Sequence, residues 1–411
     1  MTSRPTADLP LALLAVAIPV LQAYSTPLVV PLLAVAALAA LLLGGRRMLE
    51  WPSQPAKWLA LWFLALLVVG VLSAAWSVQA ALALRTASRL GGLGLCILLL
   101  LRVAVGLDED GRRRLDVWMV AGLVAGLVNL QVLLSTQGAL RVWLQDALAP
   151  VIGVQRPLVM PNALDASMTF VGLLIWPVFL VVLRRHGIWP ALLLLLAVIG
   201  IVAQGFSLTA MIALLAGAAM GMLALLLPRK VTAALAALVA VWMVAAPLLL
   251  QPQLTARLSD LVPPVAGKLS SFEHRRAIWG FVAGRIAEKP LTGWGLGSSR
   301  EIPGGKTQIR PGVELLPLHP HDAALQIWLE LGVPGAILGV VFVLGTIGAI
   351  GRNALAADAY ATSMALFAAS TVNAMASYSL WHEWWMCFLI LAGCFQAAVI
   401  TDPGRGPCRA C

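Results

Sequence analysis

Residues 208–227 read LTAMIALLAGAAMGMLALLL, closed by Pro228-Arg229-Lys230. The run contains no ionisable side chain. As a helix rising 1.5 Å per residue it extends about 30 Å, the thickness of a bilayer's hydrocarbon core. Working outward in both directions, comparable runs recur at 9–25, 27–43, 58–76, 88–105, 116–136, 165–183, 188–204, 231–250, 333–351, 362–379 and 384–400, twelve spans with the first. The first run has a weak basic flank and is followed almost at once by a second, so it reads as a retained span rather than a cleaved signal. The chain of 411 residues is 61% hydrophobic and 11% charged, with mean hydropathy +0.92. A soluble domain is about 45–50% apolar and about 25% charged. The difference excludes a soluble enzyme, a disordered chain and a fibrous one. The expected fold is an all-α polytopic membrane protein with about 12 transmembrane helices.

The formal charge is +10, from 28 Lys and Arg against 18 Asp and Glu. In a soluble protein such a surplus points to nucleic acid. In a chain of spans it first orients the loops, because cytoplasmic loops collect Lys and Arg. No nucleic-acid partner is expected here. Placing both termini and the even-to-odd junctions on the cytoplasmic side assigns it Arg4, Arg46, Arg47, Lys57, Arg102, Arg112, Arg113, Arg114, Arg184, Arg185, Arg229, Lys230, Arg352, Arg405 and Arg409. The other thirteen basic residues fall outside: Arg85 and Arg89 near the end of the fourth span, Arg141 and Arg156 in the 137–164 loop, and nine in the segment 251–332. Long loops escape the charge rule, so this segment does not disturb the topology. Three regions result: 1–250 with spans one to nine, a long helical loop at 251–332, and 333–411 with the last three spans and a tail. Of the five cysteines, Cys408 and Cys411 form one C-x-x-C in that tail, with no second pair to suggest a metal site.

The long loop carries the candidate chemistry. Ser270 to Glu273 has the S-x-x-E form of a capping box, and a helix is predicted from there to Glu288, stopped by Lys289-Pro290. On it Arg275 shares a stripe with Ile278, Trp279, Val282 and Ile286. Such an arginine either snorkels to lipid phosphates or, with Arg276, holds an anionic ligand. Thr292-Gly293-Trp294-Gly295-Leu296-Gly297-Ser298-Ser299-Arg300 follows. No strand precedes it and no G-K-[ST] ends it, which excludes a nucleotide loop. It reads as a flexible turn whose N–H groups, beside Arg300, are available to a phosphate.

Next comes Leu318-His319-Pro320-His321-Asp322, leading into an apolar helix where Asp322, Gln326 and Glu330 recur every fourth residue. Pro320 suits the first helical position, and a polar stripe at the membrane boundary can simply face water. A histidine at a helix start is disfavoured as a cation, and a neutral imidazole is what a general base needs. His319 and His321 are only two apart with no third or fourth ligand evident, so no metal is expected. At the last outer turn, Leu380-Trp381-His382-Glu383-Trp384-Trp385 reads as an interfacial tryptophan belt, with Glu383 placed to orient a basic group in the site.

These residues resemble the O-antigen ligase and O-antigen polymerase family of bacterial inner-membrane proteins. The family pattern of H-[NSQ], nine residues and G-x-x-G is matched by His321-Asp322 and Gly332-Val333-Pro334-Gly335, with Asp at the second place. Upstream, Arg275 to Trp279 and then Glu288-Lys289-Pro290-Leu291-Thr292-Gly293-Trp294-Gly295 match R-x-x-x-W followed by e-x-P-l-x-G-x-G. The resemblance implies a metal- and cofactor-independent, inverting glycosyltransferase of the C type, closest to the ligases. Its donor would be a glycan on undecaprenyl diphosphate. Its acceptor would be a sugar hydroxyl of lipid A–core, reached on the periplasmic side of the inner membrane among membrane lipids. His321 and Arg275 would be the catalytic pair, with Arg276, Arg300, His319, Asp322, Arg156 and Glu383 around the substrates. One departure stands out: relatives often carry S-R at the outer end of a middle span, where this chain has Ser207-Leu208-Thr209. Arg156 is the candidate to replace that arginine. A glycan polymerase or a protein O-glycosyltransferase shares the same motifs. A lipid-linked sugar transporter would instead place charge mid-span on repeated halves, and neither feature is present.

Overall fold

The computed structural model describes residues 8–45, 48, 56–152, 164–205, 207–251, 269–354 and 356–400. Among these are fourteen α-helices and one small hairpin. In chain order they are α1 Leu9–Leu21, α2 Val29–Gly44, α3 Ala56–Leu72, α4 Ala80–Gly106, α5 Glu109–Ser135, α6 Ala139–Ile152, α7 Asp165–His186, α8 Ile188–Gln204, α9 Leu208–Leu226, α10 Arg229–Leu249, α11 Leu269–Glu288, α12 Ala323–Asn353, α13 Ala357–Ala376 and α14 Glu383–Ile400. Each of the twelve predicted spans falls on one of them. Nine helices among the described residues are long and apolar enough to cross a membrane, while α1 and α8 are apolar but shorter. Their outward faces carry side chains such as Leu42, Leu193, Leu226 and Leu248, each at least 65% exposed. Apolar surface on this scale belongs in lipid, not water.

The helix α13 explains why apolarity alone understates the count. It is rich in Ala, Ser and Thr and lies mostly inside the molecule, so it has little lipid to satisfy. Against it α9 presents Gly217 and Gly221, spaced as in small-xxx-small helix contacts. A Cβ on Gly217 would stand 2.9 Å from Ala365 O, and one on Gly221 3.3 Å from the Ala365 side chain. The centre of the bundle is α7, buried from Ser167 to Val178 without interruption and wrapped by α5, α8, α9, α13 and α14. Its last turn is tied down by ion pairs. Arg184 grips Asp358 at 2.7 and 3.0 Å, and Arg185 meets Asp116 at 2.6 Å. Basic residues assigned to loop orientation are thus also fold clasps.

Three local differences from the sequence reading matter for the site. The short helix α6 lies in the 137–164 loop, where none was predicted. The helix α11 is already helical at Leu269, so the Ser270 capping box falls inside it, although it ends at Glu288 as expected. The helix α12 begins at Ala323, ahead of the predicted span, and kinks at Gly332 (φ 59°, ψ −147°). Its N-cap is Asp322 in an extended conformation, whose Oδ1 accepts the Leu325 N–H at 2.9 Å. Pro320 therefore precedes the helix rather than opening it. His321 stands just outside the first turn with φ +55°, one of two non-glycine positive-φ residues described. Asp caps by accepting an orphan N–H, a role proline and histidine main chains do not supply.

Candidate functional site

The two glycine motifs form one structural unit. The stretch 290–297 lies against the α12 kink with backbone paired to backbone: Trp294 N–H donates to Leu329 O (2.8 Å), Gly295 N–H to Glu330 O (2.8 Å) and Val333 N–H to Pro290 O (3.0 Å). Approach this close leaves no room for side chains at the crossing. A Cβ on Gly293 (φ +67°) would lie 2.5 Å from the Glu330 carbonyl, and one on Gly332 2.7 Å from Leu291 C. The turn is further held by Leu296 N–H to Ser73 Oγ (3.0 Å), by Val78 N–H to Trp294 O (3.2 Å), and by Trp76 Nε1 to Thr292 O (3.0 Å). It is a fixed platform, not the flexible turn read from the sequence. Gly293→Ala combines a backbone clash with a disfavoured φ and is expected to lower stability by about 3 kcal/mol or more. Thermal melting of the extracted protein checks this. A melting temperature within about 2 °C of wild type would remove the interlock from the account.

Of the readings open for the polar stripe, the structure takes the inward one and not the water-facing one. Asp322, Gln326 and Glu330 are 4%, 2% and 0% exposed. Besides capping α12, Asp322 accepts Trp242 Nε1–H from α10 at 3.0 Å, and burial pushes its carboxyl up to about 6. Gln326 donates to Ser379 Oγ (2.9 Å) and accepts Leu380 N–H (2.9 Å), fixing the α13–α14 turn. Glu330 accepts from Gly297 N–H, Ser299 Oγ–H, Gln326 Nε2 and Trp381 Nε1–H. A buried carboxylate with four donors and no cation is fully satisfied by hydrogen bonds. It joins the platform that carries Arg300 to the turn that carries Trp381. The tryptophan belt is corrected with it: Trp381 is spent on Glu330, Trp385 is 0% exposed, and Trp384 packs on Tyr378 (4.6 Å) and His382 (5.3 Å).

His321 sits where these parts meet. Its Nδ1 lies 2.8 Å from Ser377 O. A carbonyl only accepts, so Nδ1 carries the proton and Nε2 keeps its lone pair. No described residue hydrogen-bonds that Nε2. Burial holds the imidazole below its ordinary range, partly offset by the Ser377 bond and reinforced by the Arg275 and His274 charges. The His319 ring packs against it at a 47° tilt with ring centroids 4.2 Å apart, and its Nδ1 accepts the His321 N–H at 3.2 Å. Burial first, and then the nearby His321 and His382 rings and the Arg300 and Arg275 charges, push His319 down to about 2, so the ring stays neutral. Pro320 O takes Trp279 Nε1–H at 3.0 Å, and His274 bonds Glu314 O at 2.8 Å. The helix α11 thereby holds both the histidine loop and the β1 Gln308–Arg310, β2 Val313–Glu314 hairpin.

The arginines divide into two groups. Arg275 is half-buried beside the histidines on the predicted stripe, whose Ile278, Val282 and Ile286 are buried; burial lowers its pKa, and it forms no ion pair or hydrogen bond with a described residue. Arg276 and Arg300 likewise lack a partner among described residues, and Arg300 is near enough to depress His319 and His382. Glu383, by contrast, is paired with Arg89 of α4 at 2.6 Å. Arg156 lies outside the described residues. The structure thus brings Arg275, Arg300, His319 and His321 close enough for their charges to act on one another, with Asp322 next in the chain. Sequence reading missed the roles of Trp242, Ser377 and Glu330. The four-residue period flagged Glu330, but a main-chain carbonyl such as Ser377 O leaves no mark in a sequence. Among the described residues no three His, Cys, Asp or Glu side chains converge in a metal-ligating cluster.

Comparison with known proteins agrees with the motifs. Residues 192–340 match the family described as O-Antigen ligase, from α8 to the middle of α12. Proteins named "Putative polysaccharide ligase" are similar over part of the chain. That of Rickettsia conorii is 38% identical over 131 residues, 31% of this chain and 32% of the relative. Those of Rickettsia bellii and Rickettsia prowazekii are 35% and 38% identical over 153 and 120 residues, covering 35% and 29% of the relatives. The chain thus covers about a third of the length of the relatives it matches.

Proposed function

We propose that this protein is an O-antigen ligase that transfers a glycan from undecaprenyl diphosphate to a sugar hydroxyl of lipid A–core. It would act at the periplasmic face of the inner membrane with both termini cytoplasmic. The observation that carries the reading is the His321 tautomer: Nδ1–H held by Ser377 O, Nε2 a free base, and an arginine without counter-ion beside it. His321 Nε2 takes the proton of the acceptor hydroxyl as that oxygen attacks the anomeric carbon. The bond from that carbon to the diphosphate breaks, and the leaving oxygen's charge is received by Arg275, with Arg276 and Arg300. Direct displacement inverts the anomeric centre. The match of residues 192–340 to the O-Antigen ligase family supports the class of reaction.

Deleting the gene and examining the lipopolysaccharide by gel tests the reading. A ligase loss leaves bare core and accumulated lipid-linked polymer. Core capped with a single repeat would make the protein a polymerase instead, and unchanged O-chains would end the proposal. Because His321 is held below the ordinary imidazole range, its base form persists into mild acid. The acidic limb of kcat/KM is therefore expected below pH 6.5, the ordinary histidine value. Transfer rates measured from pH 5 upward check this, and a limb above pH 7 would assign the base elsewhere.

A further inference from the structure

The α13–α14 turn carries another imidazole that this reading leaves without a task. Ser377, at the start of the turn, holds His321, and Trp381, near its end, binds Glu330, whose carboxylate also holds Ser299 beside Arg300. His382 follows directly, close enough to Arg300 and His319 for their charges to interact. Its Nδ1 is buried with no hydrogen-bond partner, 3.9 Å from Glu383 Oε2, while 38% of the side chain remains exposed. Behind it Arg89 fixes Glu383 at 2.6 Å, and Trp384 packs against the ring at 5.3 Å. A buried ring nitrogen aimed at a carboxylate leaves the other nitrogen for a ligand, the arrangement that orients a histidine toward an anion or a proton.

We propose that His382 binds a phosphate oxygen of the lipid-diphosphate donor as an imidazolium, with Glu383 as counter-charge at its Nδ1–H and Arg89 holding Glu383 in place. The inference rests on the reading of this site as a lipid-diphosphate-dependent transferase. Donor binding takes up one proton from solvent. In the empty site burial and the Arg300 charge keep His382 neutral, while Glu383 works the other way. His319, a further titratable neighbour among the described residues, is itself held neutral and adds no competing charge. A diphosphate between Arg300 and His382 reverses the balance by placing negative charge where Arg300 acted alone. The donor's phosphates are esterified and already ionised near neutrality, so pH dependence of its KM belongs to the protein.

The test uses the purified full chain with undecaprenyl-diphosphate-linked glycan, measuring KM and kcat from pH 6 to pH 8. In wild type the donor KM is expected to rise about tenfold from pH 6 to pH 8, one pKa unit of coupling. His382→Gln has the high KM throughout with kcat changed little, the signature of lost ground-state binding. His382→Lys keeps a permanent cation and restores the low KM without pH dependence. Glu383→Gln, should the histidine variants not fold, moves the KM profile toward acid. A His382→Gln enzyme with wild-type KM and slope overturns the inference, as does a loss confined to kcat or an unmoved profile in Glu383→Gln. If wild type itself transfers no glycan from the lipid diphosphate, the functional reading fails and not merely the role of His382.

Discussion

Replacing His321 with asparagine lowers glycan transfer by about three orders of magnitude while the protein still inserts and folds. General-base catalysis contributes roughly 10² to 10⁴ in rate, and among the described residues neither neighbour of His321 in the loop is free to replace it. His319 is neutral at any working pH, but its Nδ1 is already engaged by the His321 N–H. Asp322 uses both carboxylate oxygens on Leu325 N–H and Trp242 Nε1–H. Asparagine is the discriminating substitution because of the backbone. His321 has φ +55°, a region asparagine tolerates better than alanine or any branched residue. Its amide N–H is also suited to donate to Ser377 O, so the turn keeps its anchor. What is lost is the lone pair. Membrane abundance and melting temperature near wild type, with transfer reduced about a thousandfold, is the expected result. Transfer within about tenfold of wild type would show that the acceptor proton leaves by another route.

Much of this architecture is legible in the chain. Uninterrupted apolar runs report spans because lipid offers backbone groups no partner other than the helix itself. The spacing from His321 to Gly332 and from Arg275 to Gly295 points to one loop as the chemical region. The partners of those residues are not legible. Periodicity shows that Asp322, Gln326 and Glu330 share a face; it does not say whether water, lipid or protein covers it. The stripe turned inward because the Gly293–Gly332 crossing brings donors from Gly297 and Ser299 down onto Glu330. Likewise Gly293 and Gly332 read singly as turn residues. Their common cause, two backbones in contact, exists only once the loop has folded onto α12. The helix α6 escaped notice because its residues, including Arg141 and Asp146, lack the long apolar run by which the other helices were found. The tryptophans misled for a related reason: an indole at a membrane boundary and an indole donating to a buried carboxylate have the same sequence signature.

Arg275→Ala separates function from stability in opposite directions. The guanidinium is half-buried, has no anionic partner among the described residues, and lies beside two imidazoles that its charge depresses. A partly desolvated charge without a counter-ion weakens the folded state of the empty protein. Such an arrangement persists where function requires it: an unpaired arginine is ready to receive the charge that develops on a departing diphosphate. Removing it is expected to cut transfer by roughly 10² to 10³ and, without donor, to raise the melting temperature. Adding the lipid-linked donor reverses the order, because ligand bound to the native state stabilises wild type more than the variant. Arg275→Lys keeps a charge but not the planar fork for two phosphate oxygens, so it recovers only part of the rate. Melting curves with and without donor, taken with transfer rates on the same preparations, decide the matter. An alanine variant that melts lower than wild type in the empty state would mean that Arg275 is holding the fold, and its place in the chemistry would have to pass to Arg276 or Arg300.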